Sequence, residues 1–253
     1  MLKTMNTDYN QYLLRWYVDS GVTESTEEVA RSRLNITDAA EHVSNNNKNK
    51  TIKTCTGNEI TKKINNCHTL KELKEVLEAF EGSSLKQSAK NLVFGDGNPS
   101  AHLMIIGEAP GAEEDLSGKP FVGVSGQLLA KMLAAINIKR SDCYITNLLP
   151  WRPPGNRKPT TVEVQTFLPF IVRQIEIISP ILIVLVGGSA ANALYKSEEG
   201  ITKLRGKITK YKNISSVPIY HPAYLLRQPN LKRQTWQDLL AIEKELGKLR
   251  MKL

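Results

Sequence analysis

Four short apolar runs alternate with helical stretches, and this alternation constrains the fold more than any other feature of the 253-residue chain. "HLMIIG", "CYITNLL", "ILIVLVGG" and "VPIYHP" are rich in aliphatic and β-branched residues. Between them lie "GQLLAKMLAAINI", "TVEVQTFLPFIVRQIEII" and "SAANALY", which read as helices. Strands joined by helices of this length pair in parallel through crossover connections, so the pattern predicts a three-layer α/β/α sandwich. Ligands of such sheets bind beyond the carboxyl ends of the strands. That rule sets Glu108, Asn147, Gly187 and His221 along one edge.

Upstream of this region the character changes. Residues 1–43 show helical periodicity in Tyr12, Leu13, Tyr17 and Val18, and a second helix is predicted in "TESTEEVARSRLNI", with Thr23, Thr26 and Glu27 near its start. Residues 44–66 are polar, rich in Asn and Lys and nearly free of aromatics, too poor in apolar surface to order strongly. The organisation predicted is therefore a helical extension and linker over 1–66 and one main domain over 67–253, opened by a short amphipathic helix in "TLKELKEVLEAF". No run approaches the roughly 18–20 apolar residues of a membrane span, and no signal core is present, so the chain is expected to be soluble and cytosolic.

Lys and Arg number 34 against 25 Asp and Glu, a formal charge of +9. Such an excess suits a polyanionic partner such as nucleic acid; the bland reading is charge that keeps the protein soluble. Cys55, Cys67 and Cys143 are odd in number and form no C-x-x-C, and His42, His68, His102 and His221 are scattered. Free thiols and no structural metal are expected.

Each strand end offers a chemical group. "GEAPG" lacks both the phosphate-loop lysine and the dinucleotide fingerprint, which argues against a nucleotide-binding or polymerase-associated module. Pro110 and Gly111 stiffen a turn that holds the Glu108 carboxylate, either to direct water and stabilise positive charge or simply as an acidic cap. Phe121 lies in the loop "KPFVG", placed for core packing or for stacking on a base. Asn147 offers a donor and an acceptor together, suited to a pyrimidine edge or to capping a turn. His221 closes the last strand. Leu225, Leu226 and Arg227 follow it as a wedge for a base stack with a guanidinium for phosphate, or as the start of a helix with a buried leucine pair. Arg152, Arg157 and Lys158 on a proline-stiffened loop, with Lys203, Arg205, Lys207, Lys210 and Lys212 further on, form a candidate backbone-contact surface.

The motifs "GEAPGAEEDLSGKPFVGVSGQLL", "YITNLLPWRPPGNRKPT" and "HPAYLLR", in this order and with "NLVFGDGNPSA" ahead of the first strand, resemble the family 4 uracil-DNA glycosylases over residues 85–246. The resemblance implies a glycosylase sandwich with a four-stranded parallel sheet, hydrolysis of the N-glycosidic bond of uracil in DNA, and other deaminated bases as further substrates. It assigns Glu108 to the attacking water and His221 to the departing uracil anion as catalytic residues. Substrate binding falls to Gly107, Ala109, Glu114 near the uracil 5-position, Phe121 as the stacking ring and Asn147 at the base edge. Contact with DNA falls by resemblance to the Leu225, Leu226, Arg227 segment, beside the Arg152, Arg157 and Lys158 read above from charge. The partner implied is uracil-containing DNA, bound by a monomer, with no membrane. The alternative is a non-catalytic DNA-binding relative. A relative that traps DNA covalently resembles a form with a His-containing insertion after "YITN", which this loop lacks.

The chain departs from the family at one point. Family 4 resemblance implies a [4Fe-4S] cluster on four cysteines, and the corresponding positions are Phe80, Ser83, Trp151 and Phe167. Without thiolates there is no ligation, so no cofactor is expected. The three aromatic rings are predicted to meet and fill the volume a cluster would occupy, because a void there would cost several kcal/mol.

Overall fold

All four apolar runs are strands in a computed structural model of the chain, which describes residues 57–252. The helices expected within 1–43, Cys55 and residues 44–56 of the linker lie outside the described residues. The first half holds α1 (Gly57–Asn65), α2 (Leu70–Glu78), α3 (Leu85–Ser88), β1 (Asp96–Gly97), β2 (Leu103–Gly107), α4 (Ala112–Ser117), α5 (Val124–Ala134) and β3 (Cys143–Asn147). The second holds α6 (Thr161–Ile178), β4 (Leu182–Val186), α7 (Gly188–Tyr195), α8 (Ile201–Leu204), β5 (Thr209–Tyr211), β6 (Ile214–Ile219), α9 (Pro222–Arg227) and α10 (Lys232–Arg250).

The strand order is β1-β3-β2-β4-β6-β5, with β3, β2, β4 and β6 parallel and the two outer strands antiparallel. The expected four parallel strands thus form the centre of a six-stranded sheet. The sequence reading omits the edges because Asp96–Gly97 and Thr209–Tyr211 carry no apolar run; their conformation comes from pairing with a neighbour. Every residue of β2, β3 and β4 is buried, as expected for parallel strands covered on both faces. Ile105, Ile145, Val184 and Val217 meet α5 and α10 through Leu129, Leu133, Leu239 and Ile242. On the other face, Met104, Ile106, Ile183 and Leu185 meet α6 and α7 through Ile171, Ile175, Ala191 and Leu194. These are the three layers.

A third core lies beside the sheet. It joins Leu73, Leu77, Phe94, Leu149, Trp151, Phe167 and Phe170 with Ile64 of α1. Residues 57–65, assigned to the polar linker from composition, are therefore helical, and α1 packs against α2 and α6. Ile60 and Ile64 lie one turn apart in an otherwise polar stretch, enough to dock one helical face yet too little to register in an average composition. Among the described residues, no helix is long and apolar enough to cross a membrane.

Candidate functional site

Strand register brings the candidate groups together. Gly107 pairs with Asn147 across β2 and β3, and Val186 pairs with Ile219 across β4 and β6. The ladder continues past β2 as Leu148 N–H donates to the Gly107 carbonyl at 2.9 Å and Leu149 N–H to that of Glu108 at 3.1 Å. Glu108, Asn147 and His221 consequently line one cavity of about 470 Å³, together with Phe121. Gly107 is required by close approach, since a Cβ there would collide with Asn147 Oδ1 and the Phe121 ring.

Asn147 is buried, and its Oδ1 has no hydrogen-bond partner. A buried, unpaired acceptor costs free energy unless something supplies a donor, so the cavity wall is incomplete by one N–H. Glu108 is held from across the sheet edge: Ser189 Oγ in the first turn of α7 donates to Glu108 Oε2 at 2.7 Å. Sequence reasoning missed Ser189; its only signal is its place in "GGSAA" directly after the most apolar strand.

His221 is the N-cap of α9, and its Nδ1 accepts the Ala223 N–H at 3.1 Å. Burial lowers its pKa from the ordinary imidazole value; Glu108 opposes this, Arg227 adds to it, and Glu114 opposes it more weakly. A neutral ring whose Nδ1 accepts must carry its proton on Nε2, so His221 presents an N–H donor. The Phe121 ring lies 5.8 Å from the His221 ring, tilted by 31°.

Several expected contacts take other roles. Glu114 lines the cavity, but its carboxylate is engaged by three backbone amides: Gly111 N–H at 3.1 Å, and Val122 and Gly123 N–H at 2.9 Å each. It ties the "GEAPG" turn to the Phe121 loop while its side chain remains part of the cavity lining. Asp115 accepts from Lys90 and Asn91 N–H at 2.8 and 3.2 Å, fastening the segment before β1. Ala109 lines the cavity and packs on the third core.

Among the basic residues, Lys158 and Arg227 stand exposed at the cavity rim. Arg157 also lines it, but it forms a fork with Glu163 at 2.6 and 2.9 Å and drives that carboxyl down to about 2. Arg152 donates to Asn156 Oδ1 at 2.7 Å and does not line the cavity. Nor do the basic residues of 203–212; Arg205 is paired with Asp238 at 2.6 Å and Lys212 with Glu176 at 3.0 Å.

The Leu225 assignment is corrected. Residues 222–227 are helix, and Leu225 is 1% exposed within the core shared by α5 and α10. Leu226 is 42% exposed and Tyr224 is 36% exposed, so these are the large apolar side chains that the helix leaves on the surface. A helical turn separates adjacent residues by about 100°, which places one leucine inward and the next outward.

The positions implied for cluster ligation do not fit a cluster. The Phe80 and Phe167 rings lie 6.0 Å apart at 80°, and the Trp151 and Phe167 rings 5.6 Å apart at 65°. Phe80 also meets Phe170 at 5.8 Å. Ser83 Oγ accepts the Leu85 N–H. Burial pushes the Cys143 thiol up to about 12, leaving it protonated rather than a thiolate. Among the described residues, no group of three or more His, Cys, Asp or Glu is placed to hold a metal ion.

A family model described as "Uracil DNA glycosylase superfamily" matches residues 94–240. A type-4 uracil-DNA glycosylase of Archaeoglobus fulgidus is 41% identical over 172 residues, spanning 65% of this chain and 86% of that protein. Its counterpart in Thermotoga maritima is 37% identical over 180 residues, 68% of this chain and 94% of that protein. A DNA polymerase of Bacillus phage SP01 is 31% identical over 157 residues, 62% of this chain and 17% of the polymerase.

Proposed function

This chain belongs to the uracil-DNA glycosylase superfamily, and from that premise we propose that its cavity receives uracil turned out of DNA and that the enzyme hydrolyses the N-glycosidic bond, leaving an abasic site. The unpaired Oδ1 of Asn147 carries this reading. Uracil offers a ring N–H beside a carbonyl oxygen, so one carboxamide accepts from the first and donates to the second. Cytosine places a ring acceptor where uracil has that N–H, so a carboxamide oriented for uracil sets Oδ1 against another acceptor. Phe121 supplies the face on which the flat ring stacks.

Bond cleavage places positive charge on the sugar and negative charge on the departing base. Glu108 opposes the first and the Nε2–H of His221 donates to the second, each group preset by a partner, Ser189 and the Ala223 amide. Water adds to the sugar carbon, its proton passes to the Glu108 carboxylate, and the glycosidic electron pair leaves with uracil. The aromatic cluster at Phe80, Trp151 and Phe167 supports a fold held without an iron-sulfur centre.

The test is excision from single- and double-stranded DNA containing one uracil, read by alkaline cleavage of the abasic product, with hypoxanthine and xanthine DNA alongside. Wild type is expected to cleave uracil DNA, and Glu108→Gln or Asn147→Ala to be slower by about 10²-fold or more. Wild-type rates in both variants would remove the assignment, and DNA binding without any excision would favour the non-catalytic reading.

A further inference from the structure

Phe121 adopts φ +52°, a left-handed conformation unusual for an aromatic residue. Such strain persists only where the surroundings hold it. Here the backbone is gripped from two sides by charges of opposite sign. Glu114 accepts the amides of Val122 and Gly123, as described above. On the other side the carbonyls are held by Arg140, which lies in a 3-10 turn just before β3: Nη1 donates to the Phe121 carbonyl at 2.9 Å and Nη2 to that of Pro120 at 2.6 Å. Gly126, in the first turn of α5, completes the seat, because a Cβ there would collide with the Phe121 carbonyl group.

Arg140 is itself oriented. Its Nε and Nη2 both donate to Asp96 Oδ2, at 3.3 and 3.0 Å, so the planar guanidinium is fixed along one side while the other holds the loop. Asp96 belongs to β1, and the pairing of Asp96 with Ile145 and Gly97 with Tyr144 anchors that strand to β3. The two-residue edge strand thus has a use: it carries the carboxylate that aims Arg140.

The geometry points to Arg140 as a positioning residue for base recognition, acting through Phe121 and aimed by Asp96. It does not line the cavity. Its work is to hold the ring in place before uracil arrives, so that stacking does not have to be bought with loop ordering. This inference rests on the glycosylase reading, in which Phe121 is the surface that uracil meets.

The experiment compares the full chain with Arg140→Ala, Arg140→Lys, Asp96→Asn, Phe121→Ala and the double variant Arg140→Ala/Phe121→Ala. Uracil excision, inhibition by free uracil, affinity for abasic DNA and thermal melting are measured for each. Arg140→Ala is expected to lower kcat/KM by about 10- to 100-fold and to raise the inhibition constant of free uracil in parallel, with abasic-DNA affinity little changed. Arg140→Lys, with fewer donors and no planar fork, is expected to recover only part of the loss, and Asp96→Asn, which retains an acceptor, most of it. In the double variant the loss from Arg140→Ala should largely vanish against a Phe121→Ala background, because both changes act on one ring. Unchanged uracil inhibition in folded Arg140→Ala, or fully additive losses in the double variant, would overturn the proposal. If Arg140→Ala fails to fold, Arg140→Lys and Asp96→Asn decide the matter, and free-uracil inhibition equal to wild type in both sinks it. A wild-type chain that excises no uracil counts against the glycosylase reading; an active wild type with unaffected Arg140 variants counts against the positioning role alone.

Discussion

His221 owes its proton placement to one backbone amide. Because Nδ1 accepts the Ala223 N–H, protonating the ring would break the cap of α9 as well as charge a half-buried group. The folded pKa is lowered, so the neutral form is favoured by folding. The stability this contributes is present above the ordinary imidazole value, near about 6.5, and is lost as pH falls through the lower folded value. The acid limb of kcat/KM that belongs to His221 is accordingly expected below pH of about 6.5, and it should disappear from the pH profile of His221→Asn. A His221-dependent limb above that value would contradict the tautomer assigned here. The residue types at the strand ends were legible as chemistry because a carboxylate, a carboxamide and an imidazole are rare at the tips of apolar strands. Ser189 and Arg140 were not, since a serine in a helix and an arginine before a strand carry no local sign of what they touch.

Helix α9 shows how one element divides its labour. His221 starts it, Leu225 roots it in the core, and Leu226 and Tyr224 are exposed, Tyr224 on the cavity wall. The two adjacent leucines should therefore respond to different measurements. Leu225→Ala is expected to destabilise the fold by about 2–5 kcal/mol, read by denaturant unfolding, because it empties a packed site. Leu226→Ala should leave stability nearly unchanged and slow excision from double-stranded DNA more than from single-stranded DNA, where no stacked gap needs to be held open. Equal slowing on both substrates would argue against a wedge. The sequence "HPAYLLR" announced a functional segment, but only its helical turn decides which leucine is available. β1 is a similar case: two residues, Asp and Gly, cannot signal a strand, and pairing with β3 makes them one.

At the scale of the molecule, the described residues form a sheet with two covered faces and a third core built around aromatic rings. Phe167 touches Phe80, Trp151 and Phe170, which come from separate segments of the chain. Phe167→Ala is expected to cost about 3–5 kcal/mol, measured by denaturant unfolding, and the purified wild type is expected to lack the visible absorbance of an iron-sulfur cluster. A cost under about 1 kcal/mol would mean that the rings are not what joins these segments. The sandwich, the parallel centre of the sheet and the strand ends at which chemistry gathers are legible in the amino-acid order alone. These follow from hydrophobic periodicity and from the crossover rule, both of which act over short stretches of chain. That order also places three aromatic residues where the family resemblance implies cysteines. That Glu114 and Arg140 grip one loop, that Ser189 holds Glu108, that Arg157 is tied to Glu163 and that Ile64 docks α1 emerges only in the packed molecule. The reason is physical: these contacts join residues through side-chain direction, burial and hydrogen-bond geometry, which exist only once the elements have packed.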